Sequence, residues 1–328
     1  MAMSDTGISI SGKRLAITIR GVARHRVAAA IAALVLLPWV APYEALSVNI
    51  LLFGLYAVGF NLVFGYTGML SFGHAAFFGV GAYACGIAIA TFHVNWLLAI
   101  LLGTIVAGFV AMIIGALAIR TRGIYFAMVT LALAQCVYYI LYQWSSLTGG
   151  EDGLRGVSVQ AVNILGLKLN LLNPMTKYYV MLVFVALALW IFSRILESPF
   201  GAVLEAIREN ENRARACGYD TLRTKWLAFV LSGMFCGLAG ALYAIHLSIV
   251  PIETAHYTMS GQAVMMSLLG GMGTFFGPFI GAAAFLLLED VLTLWTEYWQ
   301  FFVGALFVFF VLFFPRGIWG SLLHWMGR

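Results

Sequence analysis

One segment near the N-terminus has the residue types and spacing of a nucleotide site. Residues 7–14 (GISISGKR) resemble the phosphate-binding pattern G-x-x-x-x-G-K-[ST], but Arg14 stands where Ser or Thr should bind magnesium. The segment also follows no predicted strand and leads into an apolar run. The sequence contains neither H-E-x-x-H nor G-x-S-x-G. We therefore predict no catalysis within this chain and no cofactor bound by it.

The remaining candidates for chemistry are histidines and cysteines within or beside apolar runs. His74 and His246 are the titratable groups inside these runs, which hold no Asp, Glu, Lys or Arg near their middles. Ion-coupled carriers usually place such groups in the membrane interior, so energy for uphill transport is expected from elsewhere. Each histidine is interpreted as a packing residue rather than a proton relay. No metal site is predicted, because no C-x-x-C spacing joins Cys85, Cys136, Cys217 and Cys236.

The elements that hold these residues are predicted from composition. Of 328 residues, 62% are hydrophobic and 9% are charged, whereas soluble domains carry about 25% charged residues. The apolar runs are continuous and about 17–25 residues long, as membrane helices require, and lack the alternation of barrel strands. We predict an all-α fold, a polytopic transmembrane helical bundle of about 8–10 spans with glycine-broken or re-entrant helices. The predicted runs are residues 27–42, 46–64, 69–90, 96–119, 124–144, 178–195, 226–250, 261–288 and 301–314.

The distribution of basic residues predicts the orientation. With the N-terminus in the cytoplasm, Arg155, Lys168 and Lys177 lie outside and the other fifteen of the eighteen Lys and Arg lie inside, as the positive-inside rule expects. The basic balance therefore needs no nucleic acid. We predict a cytoplasmic basic arm at 1–26, a transmembrane domain at 27–320 with a cytoplasmic loop at 197–225, and a tail at 321–328. The first run is interpreted as a retained span rather than a signal peptide, because the arm before it is long.

The run at 261–288 is too long for one span. As a single helix it would measure about 42 Å, and glycines at 270–273 with Gly277-Pro278 interrupt it. We predict two short helices joined by a glycine turn, either re-entrant from outside or two abbreviated spans. Residues 289–300, with three acids and no Lys or Arg, are predicted to form an external loop.

The cytoplasmic loop predicts an amphipathic helix. Ser198 and Pro199 suit its first positions, and Gly218 suits its end. Such a helix either docks on a cytoplasmic partner or lies at the lipid interface, and the residues alone leave both open. Its apolar stripe is Val203, Leu204, Ile207 and Ala214, and its predicted i,i+4 ion pairs are Glu209–Arg213 and Glu211–Arg215.

Two glycine-rich segments share a spacing. Residues 73–79 and 271–277 each place Gly, two Phe and Gly at the same offsets. Transporters are often built from internal repeats whose broken helices meet at the substrate path, but a chain this rich in Gly and Phe also gives such matches by chance. The glycines permit close helix approach or expose backbone groups to a solute.

Five short motifs stand in order along the chain. They are NLVFGYTGMLSFGH at 61–74, LTGGEDGLRG at 147–156, EAIRENE at 205–211 continuing to Gly218, GGMGTFFGP at 270–278, and PRG at 315–317. Over residues 46–320 they resemble the permeases of branched-chain amino acid ABC importers, specifically the LivM-like subunit. Ile207 stands where the family's E-A-A coupling segment has its second Ala, a departure common in this branch.

The resemblance implies a type II ABC-importer-like permease in a bacterial inner membrane, with both termini cytoplasmic. The implied partners are a sister permease subunit, two cytoplasmic ATP-binding subunits that carry ATP and Mg, and an external solute-binding protein that delivers branched-chain or related hydrophobic amino acids. The implied ATPase-coupling residues are Glu205, Ala206, Arg208, Glu209 and Gly218. The candidates for lining the path are Gly68, Ser71, His74, Gly271 and Thr274. The external loop is carried by Gly149, Gly150, Asp152 and Gly153.

Three alternatives remain at this point. A related importer of urea or short amides has the same permease type, because specificity is normally set by the external binding protein. An autonomous secondary carrier is disfavoured by the lack of acids within the runs. A membrane scaffold without a path is disfavoured by the glycine-broken segments.

Overall fold

A computed structural model describes residues 27–157, 161–164, 167–170, 173–295, 298–313 and 317–325. The predicted basic arm at 1–26, residues 315–316 of the PRG motif and the last three residues of the tail lie outside this part of the chain. The helices are α1 (Val27–Val40), α2 (Glu44–Thr67), α3 (His74–Ala90), α4 (Trp96–Ala118), α5 (Ile124–Gln143), α6 (Ser145–Thr148), α7 (Pro174–Glu197), α8 (Pro199–Ala216), α9 (Thr221–Leu247), α10 (Tyr257–Gly270), α11 (Gly277–Trp295), α12 (Trp299–Phe313) and α13 (Gly317–Trp325).

The predicted helical membrane bundle is confirmed. Within the described residues, six helices are long and apolar enough to cross a membrane, namely α2, α4, α5, α7, α9 and α11. The shorter helices α1 and α3 are also apolar. The predicted run at 69–90 begins late as a helix, because α2 ends at Gly68 with φ of +74° and the chain stays non-helical until His74.

The centre of the bundle is formed by α2, α3 and α9. Almost all of α2 is buried, whereas few residues of α5 are. Glycines allow α3 and α9 to touch backbone to backbone. A Cβ at Gly240 of α9 would lie 1.9 Å from the carbonyl oxygen of Phe78, and one at Gly81 would lie 2.2 Å from that of Gly237.

After α9 the chain turns back along α3 rather than continuing as a helix. Strand β4 (Ile249–Val250) pairs antiparallel with β1 (Leu154–Arg155), and a 3₁₀ turn follows at Ile252–Ala255. Val250 lies beside Gly86, Ala255 beside Gly79, and the Ser260 hydroxyl accepts the backbone N–H of Ala75. Because these contacts step down α3 from its end to its start, residues 249–256 enter the bundle as a partly extended segment before α10.

The run at 261–288 forms two helices joined by a glycine turn, as predicted. The turn between α10 and α11 packs against the last residues of α2, because the Gly273 N–H donates to the Asn61 side chain. The segment therefore reaches the end of the bundle where α8 lies, which favours two crossings over a shallow re-entrant loop. With the extended stretch before α10, it starts and finishes on one side of the bundle.

The loop predicted at 289–300 is wrong for residues 289–295, and its external position stays a prediction. Helix α11 continues through Glu289 and Asp290 to Trp295, because the residues after Leu288 keep an apolar helical pattern. Asp290 accepts a hydrogen bond from the Tyr43 hydroxyl at 2.8 Å, which ties the last turns of α11 to the start of α2. Two carboxyl groups thus lie within a membrane-length helix, near its end.

A second two-stranded sheet lies in the connection between α5 and α7. Strand β2 (Ala161–Ile164) pairs antiparallel with β3 (Leu167–Asn170), with Ala161 opposite Asn170. Helix α7 then begins at Pro174 after Asn173, whose side chain accepts the N–H of Met175.

Candidate functional site

The first glycine turn, residues 65–73, carries two predicted path residues. Gly68 ends α2 in a left-handed conformation that favours glycine. Ser71 is fully buried and its hydroxyl accepts the N–H of Gly73 at 3.1 Å. The next anchor is Thr130 of α5, whose hydroxyl accepts the N–H of Phe72 at 3.2 Å. The turn is therefore fastened by side chains from within the bundle.

His74, the third predicted path residue, opens α3 and is completely buried. Its Nε2 lies 2.8 Å from the Ser232 hydroxyl, which itself donates to the carbonyl oxygen of Gly59. The imidazole therefore donates through Nε2. Phe60, Phe77 and Phe229 make edge-on ring contacts with it. His74 is thus held inside the bundle by one hydrogen bond and three ring contacts.

The second glycine turn, residues 270–277, is held from α2 by one buried amide. The Asn61 side chain donates from Nδ2 to the carbonyl oxygen of Thr274 at 3.0 Å and accepts the Gly273 N–H at 3.1 Å. The Thr274 hydroxyl donates to the carbonyl oxygen of Gly271 at 2.8 Å and accepts the Gly277 N–H at 3.1 Å. This predicted path residue thus caps the first turn of α11.

Gly271 faces the C-terminal helix. A Cβ added at Gly317, the described residue of the PRG motif, would lie 2.5 Å from the Cα of Gly271. The two backbones touch, so the last motif of the sequence packs on the second glycine turn. The similar segments at 73–79 and 271–277 have different conformations, since the first lies mostly in α3 and the second mostly in the turn before α11.

The amphipathic helix predicted in the loop at 197–225 is confirmed as α8, from Pro199 to Ala216, and its cytoplasmic location stays a prediction. It packs against α2, α7 and α9. Its apolar stripe is buried there, with Leu204 at 0% and Ile207 at 4% exposure. The stripe therefore covers the membrane domain itself and is not available to a partner. Glu205 and Glu209 lie on the exposed face, Ala206 is half-buried, and Gly218 follows the helix with φ of +89°.

Two local details of α8 differ from the prediction. The Ser198 hydroxyl donates backwards to the carbonyl oxygen of Ile195 at 2.6 Å instead of capping α8. Asn210 breaks the helix with φ −160° and ψ 101°, and its side chain accepts the N–H of Arg213 at 3.0 Å. Asn210 thus acts as the cap of a second half. Among the described residues no ion pair joins Glu209 to Arg213, because this kink lies between them.

Arg208, on the first half of α8, points toward the glycine turns. Its Nη1 donates to the carbonyl oxygen of Gly65, near the end of α2. Its Cγ lies beside Gly68, and a Cβ at Gly273 would come within 2.4 Å of Nη1. One side chain of the coupling loop thus contacts both glycine turns.

Glu211, on the second half of α8, joins three elements. It pairs with Lys225 of α9 at 2.6 Å, with Arg215 at 2.9 Å and with Arg122 of the α4–α5 loop at 3.9 Å. Burial favours the neutral acid, but the hydrogen bond and charge of Lys225, together with Arg122 and the Thr221 hydroxyl, hold the pKa of Glu211 below its ordinary value. The carboxylate is therefore charged at neutral pH. It balances Lys225, which is only 7% exposed.

A cavity of about 570 Å³ opens beside this network. Its walls come from the first glycine turn, the α4–α5 loop, the first turns of α5, and α8 and α9. Gly68 is the predicted path residue that lines it. Most of its lining is apolar, including Met69, Phe126 and Leu131, and its charged groups are Arg122, Glu211 and Lys225.

The predicted external loop at residues 149–153 follows the C-terminal end of α5. Gly149, Gly150 and Gly153 all have positive φ, and Asp152 is exposed. A Cβ at Gly153 would lie 2.5 Å from the carbonyl oxygen of Val250, so the loop packs directly on the segment that re-enters after α9. The Thr148 hydroxyl donates to the carbonyl oxygens of Leu141 and Trp144.

Sequence reasoning did not single out three residues that hold this site together: Asn61, Lys225 and Ser232. Asn61 and Ser232 carried a signal, since each is a polar residue inside an apolar run and needs a hydrogen-bond partner there. Glu211 was recognised through its local partner Arg215, but nothing local marks Lys225 as its closest one. The roles assigned to the coupling, path and external-loop residues stay predictions.

Comparison with known proteins assigns the chain to a protein family. A family model described as the permease component of the branched-chain amino acid transport system matches residues 43–311. The chain belongs to this permease family. The match spans the bundle from α2 to α12 and includes α8 and both glycine turns. It confirms the predicted permease family.

Individual relatives of this permease family agree. The chain is 27% identical to the high-affinity branched-chain amino acid transport system permease protein LivM of Escherichia coli over 80% of its length, and spans 66% of that protein. It is 25% identical to the probable LivM of Methanocaldococcus jannaschii, covering 80% of this chain and 86% of the relative. It is also 27% identical to LivH of Salmonella typhimurium, covering 82% and 91% respectively. No solved structure matches the chain.

Proposed function

We propose that this permease-family protein is the translocation subunit of an ATP-driven importer of branched-chain or related hydrophobic amino acids. Its partners are a sister permease subunit, two cytoplasmic ATP-binding subunits that hold ATP and Mg, and an external solute-binding protein. The observation that carries the proposal is α8, a helix between two membrane helices. Its apolar face packs on both neighbours and on α2, while its polar face is exposed.

That exposed face supports docking on an ATPase. Glu205 and Glu209 point away from the bundle, whereas the buried stripe fixes α8 to the membrane domain. A push on the polar face is therefore transmitted to the bundle, because packed helices move as stiff bodies. Hydrolysis belongs to the partner subunits in this proposal.

The exposed surface of α5 supports a sister subunit and a path beside it. Although α5 is a membrane-length helix, few of its residues are buried. That surface includes Gln143 and Tyr139. Polar groups on a membrane helix generally face other helices or a water-filled cavity rather than lipid. We therefore propose that the sister subunit and the substrate path lie along α5.

The cavity beside Gly68 suits the cytoplasmic end of that path. Its apolar walls accommodate a hydrophobic side chain, and its charged groups of both signs can hold a zwitterion at the rim. The LivM and LivH relatives are named for branched-chain amino acid transport, which supports this substrate class over urea or short amides. The location is the bacterial inner membrane, with both termini in the cytoplasm.

The test is purification through a tag on this chain in mild detergent, followed by reconstitution. We expect an ATPase and a second permease to co-purify. The proteoliposomes should take up labelled leucine, isoleucine and valine only with ATP and a loaded binding protein. Unlabelled leucine should compete, and urea should not.

Two results would contradict the proposal. The first is leucine uptake by this chain alone, driven by an ion gradient, which would indicate a secondary carrier. The second is the absence of any ATPase from complexes that retain the sister permease.

A further inference from the structure

Arg208 connects α8 to both glycine turns of the membrane domain. We infer that Arg208 is not an ATPase contact but a positioning residue that links the coupling helix α8 to both glycine turns. This inference rests on the proposed function. The resemblance in sequence assigned Arg208 to docking with Glu205 and Glu209. Those two glutamates lie on the exposed face of α8. Arg208 is exposed as well, but its Nη1 donates to the carbonyl oxygen of Gly65 in the membrane domain.

The acceptor of Arg208 explains why this contact matters. Gly65 lies in the last turn of α2, where helix carbonyls lack intrahelical partners and carry partial negative charge. A guanidinium there makes a charge-assisted hydrogen bond. Because the residue at 65 has no side chain, the second glycine turn comes close enough to contact the same group. A Cβ at Gly65 would lie 2.5 Å from the backbone nitrogen of Gly273.

The second glycine turn cannot move independently of this contact. Gly273 packs on the Arg208 guanidinium, and its N–H is held by Asn61 of α2. Gly273 has φ of +70°, so the turn places its backbone against the arginine in a conformation that favours glycine. A displacement of Arg208 therefore shifts α2 and the start of α11 together.

The kink at Asn210 separates this contact from the rest of α8. Before the kink, Arg208 reaches the glycine turns, and after it, Glu211 holds Lys225 of α9 and the α4–α5 loop. The two halves of α8 are thus fastened to different parts of the bundle. ATPase movement on the exposed face can then shift the first half against a second half held by Glu211.

The test measures coupling separately from assembly. The complete transporter is purified through this chain and reconstituted, and leucine uptake and ATP hydrolysis are measured on the same proteoliposomes with loaded binding protein. We expect Arg208→Ala to keep the wild-type amount of ATPase but to lower the leucine transported per ATP by about tenfold, the scale of one lost charge-assisted hydrogen bond. Arg208→Lys, which keeps a charged donor, should restore much of the ratio.

Two further variants distinguish the loss of the Arg208 hydrogen bond from a folding defect. Arg208→Met keeps the packing of the aliphatic stem beside Gly68 and removes only the donors, and it should lower the ratio as Arg208→Ala does. Arg213→Ala removes an exposed arginine from the second half of α8, for which the described residues show no ion pair, and should leave the ratio unchanged.

Results that contradict the role of Arg208 differ from results that contradict the proposed function. If Arg208→Ala or Arg208→Met releases the ATPase, Arg208 is a docking residue and the inference is overturned. It is also overturned if both variants keep the ratio within about twofold of wild type. A wild-type complex that retains no ATPase contradicts the proposed function itself.

Discussion

Glu211 lies where α8, α9 and the α4–α5 loop meet, and its charge compensates a lysine that is almost fully buried. We expect Glu211→Gln to lower stability by about 1–3 kcal/mol, less than the loss of a fully buried pair because Glu211 keeps some exposure. The measurement is the thermal midpoint in detergent. Glu209→Gln, on the exposed face of the same helix, is the matched control and should have little effect.

The same pair gives a pH dependence. Since the pKa of Glu211 is lowered in the folded protein from an ordinary 4.5, its stabilisation is fully present above pH 4.5 and is lost as the pH falls through the folded pKa. The wild-type midpoint should therefore drop more steeply below pH 4.5 than that of Glu211→Gln. Parallel curves for the two proteins would show that the ionised carboxylate does not stabilise the fold.

Asn61 satisfies two backbone groups of the second glycine turn from inside α2. Asn61→Ala leaves the Gly273 N–H and the Thr274 carbonyl without this partner, and each such loss costs about 1–3 kcal/mol in a buried site. We expect a clear fall of the thermal midpoint in detergent. Asn49→Ala is the control, since the Asn49 side-chain oxygen on the same helix has no hydrogen bond among the described residues. Equal effects of the two substitutions would contradict the role of Asn61.

Local patterns predicted much of this chain, and distant pairs account for most of what they missed. The spans and α8 follow from hydropathy, proline and glycine placement, which act over a few residues. Arg208 and Gly65 are 143 positions apart, and Asn61 and Gly273 are 212 apart, so no local pattern joins them. The carboxyl groups near the end of α11 were wrongly predicted to lie in a loop because they are charged. Asp290 is in fact tied to a neighbouring element, since the Tyr43 hydroxyl donates a hydrogen bond to it.

At the scale of elements, the contact between α3 and α9 is backbone against backbone. Gly240→Ala would place a Cβ 1.9 Å from the carbonyl oxygen of Phe78, so the two helices must separate, at a cost of about 3 kcal/mol or more. We expect little folded protein, measured as the monodisperse fraction on size exclusion in detergent. Gly261→Ala in α10 meets nothing within 4 Å and should be tolerated. Recovery of Gly240→Ala at the wild-type level would contradict this packing.

At the scale of the whole molecule, the proposed orientation places α8 in the cytoplasm. Cys85 and Cys236 are buried, whereas Cys217 after α8 and Cys136 on α5 are exposed. In a Cys136→Ser background, a membrane-impermeant maleimide should label Cys217 in inverted vesicles and not from the outside. Asp152→Cys, with Cys136 and Cys217 replaced by Ser, should show the opposite pattern. Labelling of Cys217 from outside would reverse the proposed orientation.

The partly extended segment between α9 and α10 has a consequence for biogenesis. Residues 249–256 lack the internal hydrogen bonds of a continuous helix, and such backbone is tolerated at membrane depth only when protein surrounds it. Strand β1, α3 and α5 provide those surroundings. We therefore expect the ribosome-bound chain to hold this segment out of the lipid until the preceding helices have assembled. The hairpin of α10 and α11, with Asp290 of α11 meeting Tyr43, would then be the last part of the central bundle to enter.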